Sequence, residues 1–264
     1  MTVHREEQPT PAYVPGHGLL KDKVVVITAA AGAGIGAAAT RRALEEGATR
    51  VVFSDTHERR LAEAEEALAG EFGADRVSSV VCDVTDEAAV QALLDSAEGF
   101  DVLLNNAGLG GTAPIQDMTD EAWSRVLDIT LTGTMRVTRA AAQRWIATGT
   151  QGVIVNNASV IGWRAQEGQA HYAAAKAGVM ALTRCSALDL APHGIRVNAV
   201  SPSLAMHPFL AKVTSDELLA ELKQREAFGR AAEPWEVANV MVFLASAYSS
   251  YLTGEVISVS SQHA

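Results

Sequence analysis

The chain has 264 residues, 48% of them hydrophobic, with a formal net charge of −10 and two cysteines. Its length and apolar content suit one α/β domain with a large core better than two domains. The acidic balance disfavours nucleic acid and anionic membranes as partners, because both attract basic faces. Cys82 and Cys185 have neither the number nor the spacing for a disulfide framework or a metal site, and read as buried thiols. With no basic-then-apolar leader and no apolar run of membrane-spanning length, a cytoplasmic protein without a bilayer anchor is expected.

Residues 1–18 hold three prolines and two glycines among mixed charges and read as a flexible extension, leaving 19–264 as a single domain. Residues 23–28, KVVVIT, form a short β-branched run and predict a strand, followed by a glycine-rich turn and an alanine-rich helix. The alternation continues with strands at 50–54, 77–82 and 101–105, separated by helices at 58–72 and 86–98. A long helix over 120–147 then leads to a strand at 153–155, a helix carrying Tyr172, and a strand at 195–200. After Pro202 a loose polar stretch, about 204–228, reads as a lid over the substrate, before a helix at 234–245 and a last strand at 255–259. Such β-α alternation predicts a doubly wound, Rossmann-type parallel sheet with helices on both faces.

The turn at 28–36, TAAAGAGIG, directly follows the first strand and opens a helix, the context a phosphate-binding turn requires. Gly32, Gly34 and Gly36 let backbone N–H groups approach a pyrophosphate, and the helix N-terminus adds its positive dipole end. Asp55, ending the second strand, can accept hydrogen bonds from both hydroxyls of an adenosine ribose and would repel a 2′-phosphate, which favours NAD(H) over NADP(H). Arg59 and Arg60 lie a turn further on, where an arginine could accommodate that phosphate, but they read as solvated. Asp83 either meets an adenine amino group or serves as a turn or cap residue.

Tyr172 and Lys176 stand four apart in an alanine-rich helical segment, so both leave one helix face, one turn apart. A free tyrosine ionises near pH ~10, and an adjacent ammonium is expected to lower that value into working range. Ser159 falls just beyond a buried strand, at its carboxyl end, where open α/β sheets put their ligands. Its hydroxyl can hold a substrate oxygen while Tyr172 exchanges a proton with it. A tyrosine and a lysine at this spacing are also common on ordinary amphipathic helices, so the surrounding motifs carry the assignment.

Taken with the run Asn105, Asn106, Ala107, Gly108, the segment RVNAVSP at 196–202 and the segment YLTG at 251–254, these residues resemble the short-chain dehydrogenase/reductase family in its compact single-domain form. The resemblance implies an oxidoreductase that interconverts a secondary alcohol and a ketone. Tyr172 would be the acid/base, Lys176 would bind the nicotinamide ribose and lower the tyrosine pKa, and Ser159 would orient the substrate oxygen. It also implies cofactor contacts from Thr28, Gly32, Gly34, Ile35 and Gly36 in the first turn. Asp55, Asp83 and Val84 would follow on the adenosine side, and Asn106, Ala107, Gly108 and Pro202, with Tyr172 and Lys176, nearer the nicotinamide. A homotetramer or homodimer is the assembly implied. More loosely, the stretches HYAAAKAGVMALTRCSAL and LTGEVISVS resemble actinobacterial reductases of late steroid-ring catabolism, which implies a bulky cyclic substrate.

The sequence also departs from the family pattern. Ala29 and Ala30 stand where the first glycine is usual, in a loop one residue longer. Thr130 replaces an asparagine that holds a proton-relay water near the lysine, and is kept as a candidate catalytic residue. Ser203 replaces a glycine, and His207 stands near the usual threonine at the carboxamide. Such drift is also what a nucleotide-binding regulator or scaffold with reduced catalysis would show, an alternative against which the intact Ser159, Tyr172, Lys176 set argues. The substrate pocket is expected between Gly110, Gly111, the 161–167 turn and the lid, with Trp163, Met206, Phe209 and Leu210 apolar, and Arg164 and Lys212 ready to meet an anion.

Overall fold

The computed structural model describes residues 6–206 and 215–262. Its strands are β1 Val24–Ile27, β2 Arg50–Asp55, β3 Val77–Val81, β4 Val102–Asn105, β5 Val153–Asn157, β6 Arg196–Pro202 and β7 Val256–Val259. All pair in parallel in one sheet of order β3-β2-β1-β4-β5-β6-β7. The helices are α1 Ile35–Glu45, α2 Glu58–Phe72, α3 Glu87–Ser96, α4 Asp120–Leu127, α5 Gly133–Thr148, α6 Ala170–Leu190, α7 Asp216–Arg225 and α8 Pro234–Ala245.

Successive strand residues face opposite sides, so each apolar run feeds two cores. Val25 and Ile27, Val102 and Leu104, and Val155 point into a core with α1, α2 and α8. Val26, Leu103 and Ile154 point into a second core with α3, α5 and the end of α6. Trp145 is the largest side chain buried there, and its Nε1 donates to Phe100 O at 2.7 Å. Local signals set the helix ends. Asp86 and Thr119 cap α3 and α4 by accepting from Ala88 N and Ala122 N, and α8 opens on Pro234 with a reciprocal Glu233/Glu236 capping box.

The expected long helix over 120–147 carries an interruption. Between α4 and α5 the chain makes one wide π turn, Asp128–Thr132, with Thr130 at its centre. Residues 6–18 form no helix or strand, yet they lie along α1. Arg42 and Glu46 form a buried pair at 2.6 Å; Glu46 accepts from His17 N and Leu19 N, and Arg42 donates to Val14 O and Pro15 O. Further along, Gln8 N donates to Phe228 O at 2.9 Å, which ties the segment to the end of the lid. Within the lid, Ala205 bridges Ala232, and α7 is capped by Ser215. His207, Phe209, Leu210 and Lys212 lie outside the described residues.

One thiol differs from expectation. Cys82 is buried, and burial pushes its pKa up to about 11, but Cys185 lies on the open face of α6. Among the described residues no helix is long and apolar enough to cross a membrane.

Candidate functional site

The chain runs outward from β1 to β3, then crosses back to β4 on the other side of β1, leaving a crevice beyond the carboxyl ends of β1 and β4. The glycine turn and the 105–108 run both end there. Thr28 Oγ1, fully buried, accepts from Asn106 N and Ala107 N at 3.0 Å each. Asn106 Nδ2 reaches back to Thr28 O and Ala29 O at 3.2 and 2.9 Å, while its Oδ1 accepts from Asn157 Nδ2 at 2.9 Å. Three loops, after β1, β4 and β5, are thus fixed to one another by side-chain amides and a hydroxyl.

Within the turn the glycines divide into two kinds. A Cβ on Gly36 would collide with Ala29 O and the Asn106 amide, whereas a Cβ on Gly32 or Gly34 would meet nothing within 4 Å. The outer face of the turn is therefore open beside Gly34, which precedes α1 without any side-chain cap. Open glycines before an uncapped helix start fit the pyrophosphate of a dinucleotide, which would lie along Gly32, Gly34 and Ile35. Within the same turn Ala29 is held at φ 54°, a left-handed conformation costing a residue with a Cβ roughly 1–2 kcal/mol.

Asp55 sits at the end of β2 and accepts from Ala31 N and His57 N at 3.1 Å each. An ionised carboxylate has about four acceptor positions, so two remain for ribose hydroxyls. Arg59 is engaged elsewhere, paired with Glu63 at 2.6 Å on the exposed face of α2. Asp83 makes a turn, accepting from Thr85 N and Thr85 Oγ1 at 2.9 and 2.8 Å. Val84 is buried beside Gly133, at the start of α5.

The structure brings Ser159, Tyr172 and Lys176 together. Ser159 follows β5 in extended backbone, caps the short turn Val160–Gly162 and hydrogen-bonds the Tyr172 phenol. Met180 and Val179 of α6 pack against Ala158 and Ala199, holding that helix on the strand ends. Lys176 Nζ is buried, donates to Asn157 O at 2.6 Å and stands 5.6 Å from the Tyr172 ring centroid.

The expectation that Lys176 lowers the tyrosine pKa meets a correction. Burial raises the Tyr172 pKa above its ordinary value, and the Ser159 hydrogen bond only partly opposes it. The ammonium stands 5.6 Å from the ring centroid, and the same burial pulls the Lys176 pKa down to about 8.

Thr130 is fully buried in the π turn, and its hydroxyl is in use. It accepts from Leu109 N at 2.9 Å and donates to Leu109 O at 3.2 Å, while Thr134 Oγ1 donates to the Thr130 carbonyl. A Cβ on Gly108 would lie 3.3 Å from Lys176 Nζ and 3.7 Å from Thr130 Oγ1, so the three adjoin. Pro202 ends β6, and Ser203 N donates to Val259 O at 3.2 Å.

A cleft of about 460 Å³ runs between the 113–116 loop and the 165–170 loop, which are joined by Ala113 N to Gly168 O at 2.9 Å. Residue-by-residue reading missed Asn157, whose carbonyl holds Lys176 and whose amide holds Asn106. Its place two positions before Ser159 was the available signal. It also missed Glu226 and Gln262, which join each other and, through Gln262, Arg164 from distant parts of the chain.

The enoyl-(acyl carrier protein) reductase family profile matches residues 29–261. The chain is 63% identical over 257 residues to a (5R,7aS)-5-hydroxy-7a-methyl-1-oxo-2,3,5,6,7,7a-hexahydro-1H-indene-carboxyl-CoA reductase of Mycobacterium tuberculosis, covering 96% of this chain and 97% of that one. It is 40% identical over 243 residues to a cis-4-hydroxycyclohexanecarboxylate dehydrogenase of Sinomonas cyclohexanicum, covering 90% and 95%. A crystal structure of a short-chain dehydrogenase from Mycobacterium smegmatis superimposes with a TM-score of 0.85 at 57% identity, covering 97% of this chain and 99% of that one. With the sheet order, the glycine turn and the Ser159, Tyr172, Lys176 group, these likenesses show that the chain belongs to the short-chain dehydrogenase/reductase family of oxidoreductases, which act between an alcohol and a ketone.

Proposed function

We propose that the protein uses NADH to reduce a ring ketone on a cyclic substrate that bears a carboxyl or carboxyl-CoA group, with Tyr172 as the proton donor. The observation that carries this reading is the convergence of Ser159, Tyr172 and Lys176 at the end of β5, beside a crevice that fits a dinucleotide. The substrate class is supported by the two named relatives, which act on a bicyclic carboxyl-CoA compound and on a cyclohexanecarboxylate.

A nicotinamide cofactor held along Gly32, Gly34 and Ile35 would supply the hydride for the carbonyl carbon. Ser159 holds the carbonyl oxygen in line with the phenol, and Tyr172 Oη gives that oxygen its proton, leaving a hydroxyl on the product. A phenol whose pKa is raised stays protonated at neutral pH, so Tyr172 holds the proton it is proposed to give. Lys176 is assigned the nicotinamide ribose, a role supported by the anchoring of its ammonium on Asn157 O beside Tyr172.

The preference for NADH is supported by the Asp55 carboxylate, which would face a 2′-phosphate, and by the commitment of Arg59 to Glu63. A homotetramer or homodimer in the cytoplasm completes the reading. The assembly is supported by Tyr248 and Tyr251, open to solvent just before the β7 edge strand; light scattering on the purified protein tests it. The function is tested by following NADH and NADPH consumption with cyclohexanone, 4-oxocyclohexanecarboxylate and its coenzyme A thioester. Turnover favouring the carboxyl-bearing ketones and NADH is expected, and no turnover of any ketone with either cofactor would refute the reading.

A further inference from the structure

Five residues after Ser159, Arg164 stands at the wall of a second cleft, of about 330 Å³, shared with Ile161, Gln166, Leu222, Arg225 and Gln262. Arg164 forms no ion pair with any described residue; its Nη1 donates to the neutral amide oxygen Oε1 of Gln262. The other end of that amide, Nε2, donates to Glu226 Oε1 at 2.8 Å, which fixes the orientation of the Gln262 side chain. Glu226 is 1% exposed and accepts also from Ser261 Oγ at 2.8 Å and from Leu204 N at 3.4 Å. Its backbone neighbour Ala227 donates to Ser261 O at 2.9 Å, doubling the attachment of the tail to the lid.

A buried carboxylate thus holds the chain's last described residues against the lid, and through them a guanidinium whose charge has no counter-ion among the described residues. A neutral amide in that place orients the arginine without neutralising it, which leaves its charge to an incoming anion. Ser159 Oγ accepts from Ile161 N at 3.3 Å, and Ile161 lines this cleft, so the anion site adjoins the reacting end of the substrate.

We infer that this cleft is an anion subsite for the acyl arm of the substrate, with Arg164 making the contact and Gln262 as its positioning residue. The inference rests on the proposed function for its substrate, but not for its test. The anionic oxygen can come from a free carboxylate or from the phosphates of a thioester carrier, and the same guanidinium serves both.

Calorimetry of the full chain with NADH separates these cases without requiring turnover, using cyclohexanecarboxylate, cyclohexanecarboxamide and cyclohexanecarbonyl-coenzyme A as probes. For the wild type, at least one anionic probe should bind about tenfold more tightly than the neutral amide. Arg164→Ala and Gln262→Ala should each remove most of that difference, and Gln262→Glu, which would neutralise Arg164 in place, should do so as well. A loss confined to the carboxylate identifies a free acid, and a loss confined to the thioester identifies the carrier phosphates. A merely structural tail would weaken all three probes alike. That result, or a wild type that does not prefer an anion, overturns the subsite. Preserved discrimination in a protein that reduces no ketone would leave the subsite standing and remove only the proposed reaction.

Discussion

Lys176 has one hydrogen-bond partner for its ammonium among the described residues, the Asn157 carbonyl, and burial lowers its pKa from the ordinary 10.5 to about 8. Between those values the unfolded chain keeps a proton that the folded chain has released, so the contribution of this group to stability rises with pH across that window. Burying the charge is costly below it. Lys176→Met removes the titration, so its stability relative to wild type should be greatest near neutral pH and decline as pH rises from about 8 to 10.5. Urea unfolding of the cofactor-free proteins over that range measures it, and a gap that widens with pH would contradict the assignment. For Asp55 the informative change is Asp55→Asn, since the amide oxygen can still accept from Ala31 N while the charge is lost. Discrimination against NADPH, as the ratio of kcat/KM values, should fall by about tenfold or more. An unchanged ratio would mean that the carboxylate only supports the glycine turn. The residue types of the site were legible because Tyr, Lys and Ser carry their chemistry with them. The direction of the tyrosine shift was not, because it depends on how deeply the phenol is buried.

At the scale of elements, the π turn between α4 and α5 matters most. It widens the helix at Thr130, and the hydroxyl spans to the Leu109 backbone, fixing the loop that backs Lys176. Thr130→Val keeps the shape and leaves two backbone groups of Leu109 without that partner, a loss of about 1–3 kcal/mol. Slower turnover with NADH affinity within a few-fold is expected, with Thr130→Ser restoring both bonds. If kcat against pH is the same for Val and wild type, neither the loop nor a proton relay depends on this hydroxyl. Nothing in the local sequence DITLT marks a π turn, since its composition is compatible with an ordinary helix. By contrast β1, β4 and β5 were readable as strands because burial on both faces leaves continuous apolar runs. The start of α8 was readable from Pro234.

For the whole molecule, the doubly wound topology sets the site at the switch point between β1 and β4 and brings the loops after β1, β4 and β5 within reach of one another. That much follows from β-α alternation. The contacts between Arg164 and Gln262 and between Gln262 and Glu226 span 98 and 36 positions, and no periodicity connects such residues. The same holds for residues 6–18, whose composition suggests freedom while the buried Arg42–Glu46 pair supplies their anchor. In the proposed reaction Tyr172 gives the proton at a site otherwise assembled without it. Single-turnover oxidation of bound NADH by the coenzyme A thioester of 4-oxocyclohexanecarboxylate, in wild type and Tyr172→Phe, tests it most directly. A rate reduced by about a thousandfold or more, with NADH affinity within a few-fold, is the expected result. A phenylalanine variant that reduces the ketone within tenfold of the wild-type rate would contradict it.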